Sequence, residues 1–141
     1  MRKPSFFIGW ILSSLLMYGL FYVFHGLVTN DLLKISMPKT VFLSVAGFVY
    51  VCLGFGMSVL LDASFFRKEI SNVFKRAFIA GPIVGVFLYA VALIIGVSFS
   101  AHFDLINLMV DVGWQILEQT LGILVIALVK SIAFHPQEME L

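Results

Sequence analysis

AFIAGPIVGVFLYAVALIIGVSF, residues 77–99, carries no charged side chain and is long enough to cross the hydrocarbon of a bilayer, which takes about 20 apolar residues as an α-helix. Lipid offers nothing to a bare N–H or C=O, so such a stretch must satisfy its own backbone and is read as a helix. Working outward, three further runs share its character: about Phe6 to Val28, about Thr40 to Leu61 and about Ile106 to Phe134. An all-α fold follows, a single four-helix transmembrane domain over residues 1–141. The chain is 61% hydrophobic and 12% charged, with mean hydropathy +1.06. A soluble domain devotes about a quarter of its residues to Asp, Glu, Lys and Arg. Half that share cannot cover a wetted surface.

Arg2 and Lys3 ahead of the first run begin like a signal peptide, with Pro4 in the first turn where its missing N–H costs little. The run is longer than a signal-peptide core and ends in His25-Gly26-Leu27-Val28-Thr29-Asn30-Asp31 without a small-residue cleavage pattern, so it is expected to stay as helix one. Between helices two and three, Phe66, Ile70, Val73 and Phe74 recur at helical spacing beside Arg67, Lys68, Lys75 and Arg76. A short amphipathic helix in the membrane interface fits that pattern, as does a charged loop. Asp62, at the end of helix two, is expected to cap the element that follows.

Arg2, Lys3, Arg67, Lys68, Lys75, Arg76 and Lys130 fall on one side of this arrangement, and Lys34 and Lys39 on the other. The positive-inside rule then puts both termini in the cytoplasm. A bacterial inner membrane is the expected location. The formal net charge of +1 gives no footprint for nucleic acid. The single cysteine, Cys52, rules out an intrachain disulfide and a Cys-x-x-Cys redox centre.

Contacts between helices in lipid favour small residues that let backbones approach. Helix three carries Gly81, Gly85, Ala92, Gly96 and Ser100 at spacings of four and seven, and helix two carries Gly47, Gly54 and Ser58. These two stripes are expected to pack together, within the monomer or across an oligomer.

Lipid does not explain the first half of helix four. A seven-residue step turns an α-helix by about 700°, so Asp104, Asp111 and Glu118 share a face with Gln115. The stripe descends from the outer surface toward the membrane middle, and a charged acid there costs roughly 2.5–3.5 kcal/mol on insertion scales. Glu118, the deepest, should therefore face protein or water. Helix one brings His25 to the same side, where it is expected to meet the acids. Trp114 lies within the polar stretch and its indole N–H suits a polar partner or its ring a ligand.

Such a constellation can relay protons, hold a cation or grip a polar ligand, but it specifies no cofactor. His102-x-Asp104 is a sparse metal motif, and His25 with His102 is a sparse haem motif. No catalytic motif occurs, and no internal repeat supports an inverted-repeat transporter. The expected partners are the bilayer and either further copies of the chain or other membrane subunits. The first expectation for function is an accessory or assembly subunit of a larger membrane complex. A small oligomeric transporter or channel using the acid stripe is the second, although Leu121 to Val129 offers no polar path onward. The third is an outer-leaflet lipid- or quinone-binding protein or enzyme.

Overall fold

The computed structural model describes residues 4–33, 35–94 and 104–134. Helix α1 spans Pro4–Tyr22 and continues as a π-helical segment, Val23–Val28; after a 3-10 turn at Asp31–Leu33 come α2 (Lys39–Asp62), α3 (Ser64–Glu69), α4 (Val73–Ile94) and α5 (Leu105–Phe134). Four of these are long and apolar enough to cross a membrane. There is no strand among the described residues.

Local chemistry fixes the ends. Pro4 opens α1, where a missing N–H breaks no intrahelical bond. Asn30 closes the π-helical extension with φ 55°, a left-handed conformation that Asn adopts more readily than most residues. Asn72 caps α4, its Oδ1 accepting from the Phe74 N–H at 2.9 Å and the Lys75 N–H at 3.1 Å. Helix α4 thus begins four residues before the apolar run and takes in Lys75 and Arg76. Asp62 does not cap α3, whose N-cap is Ala63 with no side-chain bond; its carboxylate pairs instead with Lys130. Pro82 sits inside α4, where the carbonyl one turn earlier loses its donor.

The four long helices are antiparallel to their neighbours and follow the order α2, α1, α5, α4. Phe6 meets Phe55 across α1 and α2, and Tyr18 donates to the Leu43 carbonyl at 3.2 Å. A second bond, from Trp10 Nε1 to the Val51 carbonyl at 2.7 Å, ties the same pair near its other end. Interhelical hydrogen bonds in lipid average about 0.6 kcal/mol, so these two orient the helices more than they hold them. Between α1 and α5 the core is Met17, Ile123, Ile126 and Ala127, all buried.

The small residues act within different pairs from those the spacing suggests. A Cβ at Gly81 would lie 2.6 Å from the Thr120 Cα, and one at Gly85 2.8 Å from the Ile116 Cα, so the helix-three stripe receives the backbone of α5. Gly54 instead faces Ser14 and Trp10 of α1, and Gly47 lies at ordinary contact distance from Tyr18. Ser58 is buried near Lys130, whose Nζ approaches the Ser58 carbonyl at 3.5 Å. The expected pairing of the two stripes does not occur within the chain, because α1 and α5 take both partners and α2 scarcely touches α4. Gly96 and Ser100 lie outside the described residues.

Candidate functional site

Where α2 and α4 part, a crevice of about 450 Å³ opens. Phe42, Val45, Ala46, Val49 and Leu53 line it from α2, and Leu88, Val91, Ala92 and Leu93 from α4. Its floor is more polar, with His25 at the end of helix one, Tyr50, Tyr89, and Asp111 with Gln115 one turn apart on α5. Ala92, expected at a helix contact, lies in this wall. The Tyr89 hydroxyl is buried without a hydrogen-bond partner among the described residues, and Asp111 lines the crevice with it. An unpaired buried hydroxyl costs about 1–3 kcal/mol, a cost that a bound acceptor would remove.

Of the acid stripe, one member lines the crevice. Asp104 stands just before α5, exposed, and accepts from the Ile106 N–H at 3.3 Å as a helix cap. Asp111 reaches the crevice floor. Glu118 lies one turn deeper than Gln115 and is fully buried, as is Gln119 beside it. Gln119 Nε2 donates to Glu118 Oε1 at 3.2 Å, and the side chains of Tyr50 and Trp114 lie beside the same carboxyl. Glu118 Oε2, Trp114 Nε1 and Gln119 Oε1 make no hydrogen bond of ordinary geometry among the described residues. Glu118 and Gln119 thus form an enclosed polar cluster with Tyr50 and Trp114, and of these Tyr50 also lines the crevice.

His25 shares the crevice floor with Asp111 and also faces a nearer acid on its own side of the bundle. Its Nδ1 stands 3.3 Å from Asp31 Oδ2, a carboxylate that also accepts from the Thr29 hydroxyl. The cause is the π-helical segment, in which Thr29 N–H bonds the carbonyl of Phe24, five residues back, at 2.9 Å. Segments of this kind recur at functional sites because one extra residue per turn redirects side chains. Here Phe24 is left stacked on Trp114, ring centroids 4.3 Å apart and planes 9° from parallel, while His25 packs on Phe21 at 5.1 Å. Trp114 is therefore braced by an aromatic face. No arrangement of three or more His, Cys, Asp or Glu side chains suited to a metal occurs among the described residues. His102 and His135 lie outside them.

No family model, curated protein or solved structure matches the chain. Sequence reasoning missed Tyr89, Tyr50 and the parting of α2 from α4. A tyrosine among lipid-facing aromatics carries no separate signal, but Tyr89 and Tyr50 both fall within half a helix of the polar stretch once the helices are antiparallel.

Proposed function

We propose that the protein binds an amphipathic molecule from the bilayer, a lipid or an isoprenoid quinone, with its apolar chain between α2 and α4 and its polar head on Tyr89, Asp111, Gln115 and His25. The crevice carries this reading. Its rim residues Val45 and Val49 are exposed, so in a membrane its mouth meets acyl chains, and an apolar occupant enters sideways without crossing water. The floor supplies both donors and acceptors, a mixture suited to hydroxyl, carbonyl or phosphodiester oxygens.

A conducting role fits less well, because the α5 run from Leu121 to Val129 below Gln119 is apolar and Ile123, Ile126 and Ala127 are fully buried in it. An accessory role in a larger complex draws on small size and short connections, whereas the crevice provides a specific place for a ligand. By the positive-inside rule we place the Arg- and Lys-rich end in the cytoplasm of a bacterium, with α3 in the interface and the crevice in the outer leaflet. Labelling of Lys68→Cys from outside intact cells would overturn that placement.

Extraction and mass analysis of amphiphiles retained by the purified chain test the binding role. Ala92→Trp fills the α4 wall and is expected to abolish retention of a specific species, whereas Ile83→Trp, on the exposed face of the same helix, leaves it intact. Gln115→Leu should weaken retention about tenfold, the loss of roughly one hydrogen bond to the head. Equal lipid profiles for the wild type and Ala92→Trp would sink the reading.

A further inference from the structure

At the opposite end of the bundle a second cavity, about 520 Å³, lies between the α2–α3 junction, the start of α4 and the end of α5. Arg67, Arg76 and Lys130 line it, with Asp62 the one carboxylate among the lining residues, so three positive charges face one negative and two are in surplus. The cations are near enough to repel one another: Arg67 acts on both Arg76 and Lys130. Arg76 is only 7% exposed; its Nη1 donates to the Leu61 carbonyl at 2.9 Å, while its buried Nε has no partner among the described residues. Ser71 and Asn72 complete the wall at the N-terminus of α4, where the helix dipole adds positive potential.

From this arrangement we infer that the cavity binds a phosphate group. Guanidinium forks match the oxygens of a phosphate in pairs, and the surplus charge favours an anion over a zwitterion. Mutual repulsion among the cations is relieved when a phosphate sits between them, so occupancy stabilises the junction as well as satisfying Arg76. The group is either the head of an anionic lipid, whose chains would run beside Val73 and Phe74, or a soluble phosphate. The site does not depend on the crevice, which lies at the other end of the chain's long helices.

The test uses the whole chain in mild detergent, native mass spectrometry with phosphatidylglycerol or phosphatidylcholine, and thermal denaturation with inorganic phosphate. Arg67→Gln removes an exposed lining cation and keeps the two buried ones, and Lys68→Gln removes a neighbouring charge that does not line the cavity. A lipid head group predicts preferential retention of phosphatidylglycerol, reduced about tenfold by Arg67→Gln and unchanged by Lys68→Gln. A soluble phosphate predicts stabilisation by inorganic phosphate with the same dependence on Arg67 and no preference between lipids. If neither ligand binds, or if the two substitutions act alike, the cavity is not a phosphate site.

Discussion

Asp62→Ala is expected to lower the unfolding free energy by about 2–3 kcal/mol, and Lys130→Met by much less. The two partners of this ion pair are unequally buried: the Lys130 side chain is 8% exposed and that of Asp62 47%. Losing Asp62 leaves a largely buried ammonium without its counter-ion, with the Ser58 carbonyl at 3.5 Å and two arginines nearby. Removing one partner of a fully buried pair costs about 3–5 kcal/mol, and the exposure of Asp62 places this pair toward or below the low end. Losing Lys130 leaves a carboxylate that water already reaches, and a methionine fills most of the volume. Thermal denaturation in detergent of both single variants and of the double variant measures the difference. Asp62→Ala/Lys130→Met should recover most of what Asp62→Ala loses; equal effects of the two single changes would show that burial does not govern the pair.

Gly81→Ala and Gly85→Ala should each cost about 1–3 kcal/mol, the range for overpacking a closed contact, and together should prevent α4 from seating on α5. The obstacle in both cases is backbone. At Gly85 the added carbon would lie 2.8 Å from the Ile116 Cα and 3.0 Å from the Gln115 carbonyl oxygen, neither of which can turn aside like a side chain. Gly56 and Gly113 have open space where a Cβ would go, so alanine there should be neutral or mildly stabilising by the usual helix preference. The fraction of monodisperse protein after extraction, with its melting temperature, separates the two pairs. Similar behaviour at all four positions would mean that the α4–α5 contact is looser than its geometry.

The four spans are legible in the sequence because lipid imposes a single requirement, apolar length, that any window of residues reveals. The partners of the small-residue stripes are not. Gly81 and Gly85 advertise a close approach without naming what approaches, and only the antiparallel order α2, α1, α5, α4 assigns Thr120 and Ile116 to them. The depth of Glu118 follows from counting residues down α5, and it is fully buried. The identity of its neighbours does not follow, since Tyr50 arrives from α2 and nothing in the spacing of one helix ranks the faces of another. The turn of His25 toward Asp31 was equally hidden, because the five-residue bond from Thr29 to Phe24 that causes it leaves no compositional trace. The basic cavity joins residues from four helices, with Arg67 and Lys130 far apart in the chain, and reads in the sequence only as a topological charge bias.

Glu118 and Gln119 also bear on how the chain is assembled. Taken alone, α5 would carry an acid and an amide into lipid at mid-depth, against a cost of roughly 2.5–3.5 kcal/mol for the acid even on the mildest scales. The neighbour of that acid from beyond α5 belongs to α2, Tyr50, and the ring that braces Trp114 belongs to helix one, Phe24. Both helices leave the ribosome before α5. The burial of Glu118 on α5 therefore depends on α1 and α2 being in place beside it.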